Sequence, residues 1–386
     1  MITLPCSPLA GPLRLTAVPA WILPAPAAFY ILAGEGPDQD FLTFTTGQVS
    51  RAAGPISPLG ETRRRAAVAR GLTGEPHLAE EEIMELAAGF AFQPLDNDEG
   101  TPPAISATAG LGPLAGLAGN WSGKGFNAIW RPHRGNSDHF LELNVTNDQI
   151  DLEVIDGLIP NRGLVQGQIF MSGLTYLQQI SDANVTVGGV PAGLHIEPGV
   201  WINIPPLTDP QEPAAITRMA SIPHGTTILV QGTATTAAGG PSIPDVSLTP
   251  FTIGNRSQPV DFAEQHLNQT TPFRTSGTGL TGITQAMLNN PNRVLTGNPP
   301  NVTTTTRLHV STTPGDIVGG GASNMAFLVG TKDGPNADAA HVVATFWLQT
   351  LAGDTEPKRL QYSQTVLLNF NGLSWPHITV ATLTKP

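Results

Sequence analysis

The 386 residues are enough for one large domain or two ordinary ones with a real core. Only 13% are charged, while 42 Gly and 36 Pro together make about a fifth of the chain. That balance belongs to a β-rich, loop-rich protein and excludes a helical bundle. A net charge of −11 argues against a nucleic-acid partner, and equally against docking to an anionic membrane through a basic patch.

Cys6 stands alone, which excludes an intrachain disulfide framework and a Cys-based zinc site. The apolar run 17–33 is interrupted by Pro19, Pro24 and Pro26. It is too short and too broken for a membrane span, and no basic region marks a secretory signal. The expectation is a soluble, cytoplasmic protein.

In chain order, residues 1–60 are Pro-rich, with short extended runs at Phe29–Leu32 and Phe41–Phe44. Residues 61–92 carry the helical signals. Glu61–Arg70 ends at Gly71, a C-cap residue type. Ala79–Ala88 gathers its acids at the N-terminal end, where the helix dipole favours them. Residues 1–109 are thus expected to form an extension with one or two short helices, packed on the remainder of the chain.

From Gly110 the pattern changes. Strand-like runs recur at Phe140–Val145, Asp151–Ile155, Gly167–Phe170, Val200–Ile204, Thr226–Val230, Ala326–Val329, Val342–Leu348 and Leu360–Leu368, with turn residues between them. Many short strands and few helices predict an antiparallel barrel or sandwich over 110–386. Residues 232–325 are weakly patterned and rich in Thr, Gly, Pro and Asn, and long loops are expected around 205–325. These loops are expected to lie over a barrel mouth.

Three stretches carry chemistry. The first is Leu114-Ala-Gly-Leu-Ala-Gly119-Asn-Trp121-Ser-Gly123-Lys-Gly125. An aromatic there plugs one end of a small barrel, and glycines permit tight strand bending. The second is His195-Ile-Glu197-Pro-Gly199-Val-Trp201, where strand parity puts His195 and Glu197 on one face. The third is Trp375-Pro376-His377, leading into a strand on which His377, Thr379, Ala381 and Leu383 share a face. Small side chains after the imidazole leave room for a flat ligand. The opposite face, with Ile378 and Val380, then needs cover from the N-terminal region or from a second subunit, so a homodimer is one expected assembly. From the residues alone, His377 reads either as a pocket ligand or as a hydrogen-bonded structural histidine. His224, at a turn before a strand, is an alternative second-side residue.

In this order the three stretches resemble the nitrobindin family, haem proteins with a fatty-acid-binding-protein-like, calycin-type barrel. The resemblance covers parts of 110–204 and 360–386. It implies non-covalent haem b, with iron on His377 as the proximal, metal-binding residue. It places His195 on the distal side as the candidate catalytic residue, and Trp121 and His195 among the cofactor-binding residues. It further implies action on peroxynitrite, nitric oxide or a peroxide, as a haem-dependent isomerase or a peroxidase-like enzyme. The chain departs from the family in its 109-residue extension and its longer segment between Ile204 and Leu360. It also has Trp130-Arg-Pro132 near where a Tyr-Pro pair is usual. The alternative is a non-catalytic, lipocalin-like barrel that binds a hydrophobic small molecule without metal. No motif for a hydrolase elbow, a P-loop or a zinc protease is present.

Overall fold

The computed structural model describes residues 105–386, apart from residue 136 and residues 276–279, 297–300, 316–318 and 332–333. It also describes two short strands nearer the N-terminus. Contacts divide the chain into Met1–Ala79 and Glu80–Pro386. In the first unit, Phe29–Leu32 pairs antiparallel with Thr43–Thr46. The helices expected within 61–92, and Cys6, lie outside the described residues. No helix among the described residues is long and apolar enough to cross a membrane.

The second unit is a closed antiparallel barrel of ten strands. They are β1 (Gly119–Pro132), β2 (His139–Val154), β3 (Ile169–Val187), β4 (Val190–Ile204) and β5 (Ala215–Ile222). The others are β6 (Thr226–Ala238), β7 (Val302–Ser311), β8 (Asp338–Leu351), β9 (Arg359–Phe370) and β10 (Leu373–Thr384). Each strand pairs with the next in sequence, and β10 pairs with β1 to close the ring. Closure leaves no free edge along the barrel wall.

The opening motif explains the seam. Gly123 and Gly125 sit on β1 opposite Leu383 and Ala381 of β10. A Cβ on Gly125 would lie 2.3 Å from the Val380 carbonyl oxygen, and one on Gly123 would lie 2.1 Å from that of Thr382. Both clashes are with backbone, so no rotamer relieves them. Gly125→Ala is expected to destabilise the fold by about 1–3 kcal/mol, as overpacking does. Denaturant unfolding of the purified variant measures this, and a change within experimental error would show that the seam tolerates a side chain.

One end of the barrel is sealed. Ser106 caps the helical turn Ala107–Gly110, and a 3-10 turn over Gly112–Leu117 comes next. Leu111, Leu114 and Leu117 are buried against Trp121, Leu152, Leu174, Leu348, Leu360 and Leu383. The Trp121 indole N–H donates to the Leu117 carbonyl at 2.7 Å, so the aromatic is a plug with its polar edge satisfied.

Two expectations need correction. Ala326–Val329 is a helical turn and not a strand; Gly330, at φ 87°, ends it. The 205–325 region is not mainly mouth loops, since it supplies β5, β6 and β7. Residues 239–275 and 280–296 cover the outer wall instead. Leu248, Leu288 and Leu295 pack on Phe126, Ala128, Ile378 and Val380. The Trp130 indole N–H donates to the Leu248 carbonyl at 2.9 Å. The outward face of β10 is thus covered from within this unit, and needs neither the N-terminal region nor a second subunit for that purpose.

Candidate functional site

Strand parity sorts the interior into layers. On β4, Trp201, Glu197 and His195 succeed one another away from the sealed end. On β10 the order is Leu383, Ala381, Thr379, His377. An apolar base therefore gives way to a charged middle layer, and then to a mouth containing histidines.

Arg218 and Glu197 hold the middle layer, with side chains 1% and 0% exposed. The Arg218 guanidinium donates to Glu197, to the Tyr176 hydroxyl at 2.8 Å and to Gln364 Oε1 at 2.7 Å. It lies over the rings of Tyr176, Phe346 and Trp201, 5.4–5.9 Å from their centroids, where cation–π attraction adds to the ion pair. The Tyr176 hydroxyl also donates to Glu197. Burial alone would raise the Glu197 pKa. Arg218, together with bonds from His195 and Tyr176, outweighs burial and holds it down to about 2.

Asp148 is the contrasting carboxylate. Tyr362 donates its hydroxyl to Asp148, and Gln178 Nε2 lies 3.3 Å from Asp148 Oδ1. Burial outweighs these bonds and raises its pKa to about 7. From the ordinary value of 3.8 up to about 7, the folded chain holds a proton that the unfolded chain has released. Stability from this group therefore falls as pH rises through that window. Asp148→Asn should gain stability relative to the parent between about pH 5 and pH 8. Paired urea titrations at the two pH values check this; an unchanged difference would contradict it.

The mouth brings His195, His224 and His377 together. His195 Nε2 lies 3.2 Å from Glu197 Oε2, and its ring centroid is 5.6 Å from that of His224. The shared face predicted for His195 and Glu197, on either side of Ile196, is therefore present. His224 lies in the β5–β6 turn beside Gly225, whose φ of +123° favours glycine. Burial, then the charge of His195, lowers the His224 pKa, opposed by a hydrogen bond to the Leu194 backbone.

His377 is half-buried. Burial, followed by the charges of His195, His224 and Arg131, lowers its pKa to about 3, so the imidazole is neutral at physiological pH. Its Nε2 donates to Asn127 Oδ1 at 2.9 Å, and Thr379 Oγ1 donates to the same oxygen at 3.0 Å. The preceding Trp375 anchors the strand start. It stacks on Phe370 at 4.7 Å and 6° and packs against Trp130, His139 and Phe262.

Trp121 is not part of this group. It lies eight residues along β1 from Ile129, the partner of His377, roughly 26 Å on an extended strand. Its place is the plug. The sequence reading missed Asn127, Asn144, Asp148, Asp182 and Arg218. Each has inward parity on its strand, but that parity is read only after register is known.

A histidine ligates iron through the lone pair of either ring nitrogen. Here Nε2 carries the proton donated to Asn127, so the residues as arranged do not fit an iron ligand at this atom. No group of three or more His, Cys, Asp or Glu among the described residues is placed to hold a bare metal ion.

Fold and site together define a closed up-and-down β-barrel with a plugged base, a buried ionic layer and a histidine-lined mouth. Compared with known proteins, the sequence matches no family model and no curated protein. Among solved structures it is similar to the crystal structure of Rv2717c from M. tuberculosis. The identity is 13%, coverage is 72% of this chain and 97% of that chain, and the TM-score is 0.34. A likeness this distant carries no function across.

Proposed function

We propose that the protein is a metal-free binding barrel. Its mouth takes a small molecule bearing hydrogen-bonding groups between His195, His224 and His377. The observation that supports this reading is the convergence of three imidazoles, one held neutral by burial, above a layer whose charges are already paired. Ligand sites commonly combine apolar walls with a few convergent polar groups at a barrel mouth. Neutral imidazoles can both donate and accept, whereas Glu197 and Arg218 are too deeply buried to meet a ligand.

The nitrobindin resemblance supports a competing reading. In it, His377 is the iron ligand, His195 lies on the distal side and the reaction is with peroxynitrite, nitric oxide or a peroxide. A neutral His377 favours this reading, because axial ligation needs an unprotonated nitrogen. Ligation through Nε2 would require it to give up Asn127, whereas ligation through Nδ1 would leave that bond in place. Ligand-observed NMR with a fragment panel tests the first reading on the parent and on His195→Ala, His224→Ala and His377→Ala. Fragments that bind the parent and lose affinity in the variants are expected. Hits indifferent to all three substitutions would overturn it.

A further inference from the structure

We infer that Asp182 sets the tautomer of His377 through Asn144 and Asn127, making the mouth an acceptor site for ligands with an N–H or O–H donor. This deepens the metal-free reading of the mouth and rests on it for the ligand class, though not for the tautomer. The chain of bonds has a forced direction. Asp182 Oδ1 accepts the backbone N–H groups of Asn184 at 2.7 Å and Val185 at 3.0 Å. A carboxylate so placed only accepts. Asn144 therefore turns its Nδ2 to Asp182 Oδ2, at 2.8 Å. Its Oδ1 then faces Asn127, whose Nδ2 donates to it at 3.2 Å. Asn127 is left with Oδ1 towards His377, and accepts from Nε2–H at 2.9 Å. Asp182, Asn144 and Asn127 are all buried. Turning any one amide over would set like groups against each other where water cannot compensate.

With the proton on Nε2, the lone pair of His377 is on Nδ1. That nitrogen has no hydrogen-bond partner among the described residues, and the ring is half-buried. A ligand donor would complete it. Asp182 would thus be a positioning residue, acting on the ligand only through His377.

Histidine 15N NMR of the full chain without ligand reads the tautomer. The parent is expected to show His377 as the Nε2–H form alone. Asp182→Asn should bring the Nδ1–H form to a comparable population. Asn144→Leu breaks the chain while leaving the Asp182 turn in place, and decides the matter if the first variant fails to fold. If Asn144→Leu and any folded Asp182→Asn keep the pure Nε2–H form, Asn127 acts alone and the inference is overturned. The ligand class is read with phenol and anisole, which differ in one donor. Phenol should bind the parent about tenfold more tightly, the effect of one well-placed hydrogen bond, and Asp182→Asn should narrow the difference, by about twofold at equal tautomer populations. Equal binding to the parent would refute the donor preference and leave the tautomer result standing.

Discussion

Arg218→Met is expected to lower stability by about 3–5 kcal/mol, the cost of breaking a buried ion pair from one side. Methionine fills much of the volume between Tyr176, Trp201 and Phe346, so lost packing is the smaller part. The larger part is Glu197, left ionised and fully buried with its strongest partner gone. The Tyr176 hydroxyl and Gln364 also lose bonds from Arg218. Adding Glu197→Gln to the Arg218→Met background should recover over half of the loss, because the stranded charge is then removed. Guanidinium titrations of the parent, both single variants and the double variant at neutral pH give this cycle. A loss under about 1 kcal/mol for Arg218→Met would mean that the layer is wet enough to screen the pair.

Trp375→Ala is expected to cost about 3–5 kcal/mol, in the range of large aromatic truncations in a core. The indole is almost fully buried and donates its N–H to the Phe370 carbonyl at 2.9 Å. It is also the common neighbour of Phe370, Trp130, His139 and Phe262. Removing it leaves a cavity at the turn from β9 into β10, two residues before His377. The His377 resonances should broaden along with the loss of stability. A variant with near-parental stability and sharp His377 signals would show that Pro376 and the β9–β10 ladder alone position the imidazole.

Much of this architecture can be read in the chain. The Trp-x-Gly-x-Gly run marks a strand that bends tightly at the barrel seam. Parity on β10 separates His377 and Thr379 from Ile378 and Val380. Parity on β4 likewise joins His195 to Glu197. These are local signals with period 2, and they survive folding unchanged. What is not legible is whatever depends on register. Arg218 reads as an ordinary charge in Ala215–Ile222 until β4 and β3 bring Glu197 and Tyr176 beside it. The relay from Asp182 to His377 crosses β3, β2, β1 and β10, and no spacing in the sequence announces it. Strand β6 is obscured for another reason. Its second half, Thr233–Ala238, carries only Thr and Ala, too small to show an apolar face. Ala326–Val329 misleads in the opposite sense, because four apolar residues have no period of their own and the flanking Met325 and Gly330 decide for a helical turn.

The central question is whether His377 keeps both ring nitrogens for hydrogen bonding or gives one of them to iron. Hemin titration of the purified chain, followed by absorption spectroscopy on the parent and on His377→Ala, tests this most directly. The metal-free account predicts no Soret band at about 400 nm whose intensity or position depends on His377. A parent that takes up one equivalent of hemin, with a Soret band lost in a folded His377→Ala variant, would contradict it and make His377 an iron ligand.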